Sequence, residues 1–127
     1  MDWIFSDRFK IRWSDIDMYG HLTSSAYIEL AIEARAALFA EEIVAYPQCL
    51  LISKNVNIEY KKPILYNDDL EIKLKINSIG SASFELLAVF FVGETAHAEV
   101  LTKLVTFDRD QNKLMKIPEE FRLKLSK

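Results

Sequence analysis

Residues 70–77 alternate without a break, with Leu70, Ile72, Leu74 and Ile76 on one side and Glu71, Lys73, Lys75 and Asn77 on the other. Successive side chains of a strand point to opposite faces, so this run describes a sheet with one wet face and one face that must be covered. The chain has one long candidate for the cover. Residues 24–40 alone carry an extended helical pattern, with Ala26, Leu30, Ala31, Ala34, Ala37 and Leu38 recurring at three- and four-residue steps. Six alanines keep that helix slim, and Ile28 and Ile32 add apolar surface on a second flank. A slim helix with apolar residues on two flanks packs closely against something that curves around it.

The remaining segments read as strands. Residues 3–13 place apolar side chains at 3, 5, 9, 11 and 13, a period-two pattern. Residues 50–61 form a second strand, followed by turn chemistry at Pro63 and Asn67-Asp68-Asp69. Residues 84–92 are apolar on both faces, which predicts a strand that is central or covered by a partner. Gly93-Glu94 then turns into a last long strand over residues 97–107, and the tail carries Pro118 and a short amphipathic turn ending at Leu125. The order predicts an α+β fold, a five-stranded antiparallel sheet wrapped around one long central helix.

A chain of 127 residues, half of them apolar, suits one domain over 1–127 with one core. A net charge of -3 with scattered Lys and Arg argues against nucleic acid as a partner, because phosphate binding needs clustered cations. Cys49 stands alone, which excludes an internal disulfide and multi-cysteine zinc patterns and suits a reducing compartment. No apolar run reaches the roughly 18 residues needed to span a membrane, and the N-terminus lacks a basic region followed by an apolar core. A cytoplasmic location without membrane contact is expected.

The chemistry-bearing segment is Arg12-Trp13-Ser14-Asp15-Ile16-Asp17-Met18-Tyr19-Gly20-His21, just upstream of the helix. A helix start exposes unpaired N–H groups with partial positive charge, which suits a developing oxyanion, and a nearby carboxylate can supply the attack. Each residue also has a structural reading. Asp17 can cap the turn or the helix, Asp15 reads as a turn residue, His21 as a hydrogen-bonded structural histidine, and Gly20 as a backbone requirement. Asp15, Asp17 and His21 match no strong metal-site spacing, so no metal is expected.

The stretch Asp15-Ile16-Asp17-Met18-Tyr19-Gly20-His21-Leu22-Thr23-Ser24-Ser25-Ala26-Tyr27, with Glu33-Ala34-Arg35 in the helix and Ile58-Glu59-Tyr60-Lys61-Lys62-Pro63 further on, resembles the hotdog-fold acyl-CoA thioesterases of the 4-hydroxybenzoyl-CoA thioesterase-like family. The resemblance implies Asp17 as nucleophile or general base, with a backbone N–H near Ser24 polarising the thioester carbonyl. His21 is a further candidate at that centre, and Gly20, Tyr27, Lys61 and Lys62 are candidates for contact with an acyl-CoA or acyl-carrier-protein substrate. It implies no cofactor, and a homodimer or homotetramer with sites at subunit interfaces. This chain departs from the pattern at Thr23-Ser24, where many relatives carry two asparagines. Glu33 on the helix is the internal rival to Asp17. The alternatives are a non-catalytic acyl-thioester-binding protein of the same fold and a hotdog hydratase or dehydratase.

Overall fold

A computed structural model describes residues 2–126. Five strands form one antiparallel sheet: β1 (Phe5–Phe9), β2 (Cys49–Tyr60), β3 (Leu70–Ile79), β4 (Ser83–Val92) and β5 (Thr95–Asp108). Their spatial order is β1-β3-β4-β5-β2, and the two-residue β6 (Lys113–Leu114) adds to β5. The helices are α1 (Ser24–Leu38), α2 (Ala40–Ala45) and α3 (Glu119–Leu125). Register shifts at Ser53/Asn55, Ile76/Ser78 and Phe90/Phe91 bend the strands, as bulges do, and the sheet curls. This is the hotdog arrangement, an α+β fold in which a curled antiparallel sheet covers one principal helix.

The alternation over residues 70–77 is realised in β3, whose Leu70, Ile72, Leu74 and Ile76 are fully buried. They join Phe84, Leu86, Ala88 and Phe90 of β4 and Ala98, Val100 and Leu104 of β5 in one core against Ala26, Tyr27, Leu30, Ala31, Ala34 and Leu38 of α1. Each large apolar side chain removed from water this way stabilises the fold by roughly 1.5–3 kcal/mol before entropy is counted. Small residues on α1 let the sheet approach the helix.

Several expectations are corrected. The first strand is shorter than residues 3–13, because a single 3-10 turn at Trp13–Asp15 takes the chain out of the sheet, and Trp13 is 73% exposed. The helix stops at Leu38, where the Phe39 N–H closes the last turn on the Arg35 carbonyl, and a separate short helix follows. Ala37 is exposed, so the buried stripe is narrower than its spacing suggests, and Ile32 is exposed too. Strand β4 is central, which accounts for its apolar character: one face lies on the core, and Val89 is buried on the other, where Trp3 packs edge-on against Phe91 beneath Lys73. The longer of the two edge strands is β2, twelve residues with exposed Leu50, Ile52 and Val56. The tail forms α3, whose Arg122 guanidinium donates to the Gly80 and Ser81 carbonyls of the β3–β4 turn. Among the described residues no helix is long and apolar enough to cross a membrane.

Candidate active site

Between β1 and α1 the chain folds on itself through Asp17. The Asp17 Oδ1 accepts the N–H groups of Tyr19 at 2.9 Å and His21 at 3.1 Å, and the Asp17 carbonyl accepts the Gly20 N–H at 3.0 Å. Gly20 sits at φ +77°, a conformation that side chains disfavour, although a Cβ there would meet no neighbouring atom. The glycine serves the backbone rather than a close approach. The exposed Asp17 is therefore a turn-maker through one oxygen, while its Oδ2 makes no hydrogen bond among the described residues.

Asp15 plays the structural part expected of it. It is 3% exposed, and its carboxylate takes the Arg12 N–H at 2.8 Å and the Arg12 guanidinium at 2.8 and 3.2 Å. Its carbonyl accepts the Thr23 N–H, which ties the turn to the helix start. The Arg12 hydrogen bonds hold the Asp15 carboxyl below the usual carboxylate range. A group held low in the folded state contributes stability above its unfolded pKa and loses it as pH falls through the folded value. Asp15→Asn should therefore destabilise the fold at pH 7 by about 2 kcal/mol. The gap in Tm between variant and wild type should narrow below about pH 4, as read by thermal unfolding across a pH series.

The helix start is capped by Thr23, whose hydroxyl accepts the Ala26 N–H at 3.2 Å. Ser24 is the first helical residue, and among the described residues the N–H groups of Ser24 and Ser25 have no acceptor, as the first turn of a helix dictates. The Tyr60 hydroxyl, at the end of β2, pairs with the Ser24 hydroxyl at 2.9 Å, and the Tyr60 ring stands edge-on to Tyr27 at 5.3 Å.

These pieces line an open cleft of about 370 Å³, with Asp17, His21, Leu22, Tyr27, Tyr60, Lys61, Lys62 and Pro63 along it. Five of the sequence-predicted site residues, Asp17, His21, Tyr27, Lys61 and Lys62, thus meet in one place. Ser24 is reached through Tyr60 rather than lining the cavity, and Gly20 contributes the turn. The rival Glu33 lies exposed on α1 and is not among the lining residues. Tyr27 is 2% exposed and its hydroxyl has no partner among the described residues. Burial, with Tyr60 beside it, pushes its pKa up to about 12, so it is a neutral hydrogen-bond donor. Lys61 pairs with Glu99 at 3.2 Å, whereas Lys62 has no carboxylate partner among the described residues.

Tyr60 is the residue that sequence reasoning missed. Its signal was an aromatic side chain at the end of a strand, directly before Lys61-Lys62-Pro63, which strand periodicity alone does not distinguish from an edge packing residue. A larger cavity of about 720 Å³ lies at the other end of α1, lined by residues that include Trp3, Leu38, Tyr46 and Phe121, and it contains none of the motif residues. Among the described residues no group of three or more His, Cys, Asp or Glu is placed to hold a metal ion.

The family model described as the Thioesterase-like superfamily matches residues 11–125. A hypothetical protein from Aquifex aeolicus superposes with a TM-score of 0.86 at 24% identity, covering 95% of this chain and 98% of that one. A thioesterase from Thermus thermophilus, solved with coenzyme A and Zn, superposes with a TM-score of 0.85 at 18% identity, covering 97% and 92%. A 1,4-dihydroxy-2-naphthoyl-CoA thioesterase from Synechocystis gives 0.83 at 16% identity, covering 96% and 95%. At these identities the superpositions establish the shared fold.

Proposed function

The chain belongs to the thioesterase-like superfamily, and on that premise we propose that it hydrolyses an acyl thioester to the free acid and thiol at the Asp17 cavity. The observation that carries this reading is the division of labour within Asp17. One carboxylate oxygen builds the turn, and the other makes no hydrogen bond among the described residues, in a side chain that lines the cleft.

The thioester carbonyl oxygen takes the Ser24 N–H, whose partial positive charge favours the oxyanion that develops on attack. Asp17 Oδ2 either attacks the carbonyl carbon, forming an anhydride that water then opens, or removes a proton from the attacking water. In both routes the C–S bond breaks, the sulfur leaves as a thiol after taking a proton from water, and the oxygen of water is added to the acyl carbon, directly or by opening the anhydride there. A thioester has a good leaving group, so an ionised carboxylate and a held oxyanion suffice without a metal or other cofactor. His21 and the neutral Tyr27 hydroxyl line the acyl side, and Lys62, free of a carboxylate partner among the described residues, is available to the phosphates of coenzyme A or of a carrier protein's prosthetic arm. The structural relatives solved with coenzyme A, or named for a CoA thioester, support the CoA form of the substrate.

The exposed edge of β2 supports the dimer part of this reading. A long edge strand with exposed Leu50, Ile52 and Val56 invites pairing with another strand. Beside it on α1 lie exposed Ile32 and the Arg35 guanidinium, half-buried so that its pKa is lowered, with Ser53 as its hydrogen-bond partner at 3.1 Å. A second copy related by a two-fold axis would cover both surfaces. Ile52→Lys combined with Val56→Glu should convert the dimer to a monomer and remove most activity, as read by light scattering and thiol release. A wild type that is monomeric at micromolar concentration would contradict the dimer.

The reading is tested by thiol release across short, long and aromatic acyl-CoAs and acyl-carrier-protein thioesters. Turnover of at least one class supports hydrolysis. Tight thioester binding with no thiol release on any of them would make the protein an acyl-thioester-binding member of its family instead.

A further inference from the structure

The cavity wall at residues 61–63 lies beyond the end of the β2–β5 ladder, whose last pair is Tyr60 with Ala98. Pro63 has no N–H to donate, so the ladder cannot continue through it. The wall is held by His97. The His97 carbonyl accepts the N–H groups of both Lys61 at 2.9 Å and Lys62 at 3.0 Å. The His97 Nδ1 lies 3.0 Å from the Pro63 carbonyl, and since a carbonyl only accepts, Nδ1 carries the proton.

The position of His97 in β5 explains how it can reach. On the β4 side the register jumps from Phe90 opposite Ala98 to Phe91 opposite Ala96, which leaves His97 as the extra residue of a bulge. Bulges re-aim a side chain and recur beside active sites. Here the bulge turns one residue of β5 toward the wall and lets it make three hydrogen bonds there.

We propose that His97 is a positioning residue that fixes the Lys61–Lys62–Pro63 wall and thereby the affinity for the phosphate-bearing part of a thioester substrate, an inference that rests on the function proposed above. The catalytic turn has its own ties to the next residues, through Leu22 N–H to the Ile64 carbonyl at 2.8 Å and the bridge between His21 and Leu65. Loosening the wall therefore acts on binding rather than on the attack at the carbonyl carbon.

The test compares His97→Asn with His97→Gln in the full chain, with Tm and oligomeric state matched to wild type. The Asn side-chain amide nitrogen overlays Nδ1 and keeps the bond to Pro63, whereas Gln places its amide nearer Nε2 and loses it. Titration with coenzyme A and hydrolysis of an acyl-CoA are measured beside hydrolysis of the corresponding N-acetylcysteamine thioester, which lacks the nucleotide. His97→Gln should weaken coenzyme A binding by about fivefold, the scale of one neutral hydrogen bond, and raise KM for the acyl-CoA in parallel while kcat stays within about twofold. It should leave the truncated thioester unaffected, and His97→Asn should stay close to wild type throughout. Combining His97→Gln with Lys62→Gln should add little to Lys62→Gln alone. Equal coenzyme A affinity in wild type and both variants would overturn the proposal, as would a kcat loss shared by both substrates or a wild type that does not bind coenzyme A. If no thioester is hydrolysed but coenzyme A binding follows the predicted order, the hydrolase reading falls and the positioning role stands.

Discussion

Asp17→Asn should lower kcat/KM for thioester hydrolysis by about 10³-fold or more while leaving Tm nearly unchanged. The substitution is unusually clean here. The turn needs only the Oδ1 acceptor for the N–H groups of Tyr19 and His21, and asparagine keeps an oxygen that can fill that place. What it removes is the negative charge and the attacking or proton-accepting oxygen. Steady-state kinetics with the best acyl-CoA, beside thermal unfolding, separates the two contributions. Activity within about tenfold of wild type would move the catalytic carboxylate elsewhere, with Glu33 the next to test despite its position outside the cavity.

The second large effect concerns a backbone group, which side-chain mutagenesis normally cannot reach. Ser24 is the first residue of α1, the helical position that proline favours most, because its N–H has no intrahelical acceptor and its φ is already helical. Thr23 before it is extended at ψ 159°, as a residue preceding proline prefers. Ser24→Pro therefore deletes the proposed oxyanion donor at little expected cost to the helix, and should lower kcat by about 10²- to 10³-fold. Ser24→Ala is the matched control, removing the hydroxyl that meets Tyr60 but keeping the N–H, and should cost no more than about tenfold. Equal losses in both variants, measured as kcat with a saturating acyl-CoA, would assign the effect to the Tyr60 contact and not to the N–H.

Much of the fold was legible because it depends on local rules that one sequence displays. The period of two over residues 70–77, the alanine spacing in α1 and the turn residues around Pro63 and Gly93 each fix an element without help from distant residues. The misreadings arose where tertiary context overrides pattern. Trp13 fits the alternation of β1, yet the Asp15 carboxylate, accepting the Arg12 N–H, closes a 3-10 turn there and leaves the ring on the surface, edge-on to Tyr66. Ala37 fits the spacing of the buried stripe, but alanine is as much at home on an exposed helix face, so spacing could not exclude it. Apolar residues on both faces of β4 fit a central strand or a partner-covered edge equally well, and only the strand order decides between them.

For the candidate site, the residues of one contiguous motif were legible, as were Lys61 and Lys62 just past β2, but Tyr60 and His97 on the strands themselves were not. Asp17, His21 and Tyr27 come from a single stretch, whereas Tyr60 reaches the cleft from the end of β2, and His97 of β5 touches only the wall, at the Pro63 carbonyl. The partition of the Asp17 oxygens is likewise a matter of three dimensions. The sequence posed capping and catalysis as alternatives, and the geometry allows both, one for each oxygen.

The position of the thioester carbonyl decides whether Ser24 and Asp17 act as proposed. The most direct measurement is a crystal structure with a non-hydrolysable coenzyme A ketone, in which a methylene between carbonyl and sulfur blocks hydrolysis. The account predicts its carbonyl oxygen within about 3 Å of the Ser24 N–H, with Asp17 Oδ2 facing the carbonyl carbon. A carbonyl directed away from the start of α1, or a ligand seated in the cavity between Trp3, Tyr46 and Phe121, would contradict it.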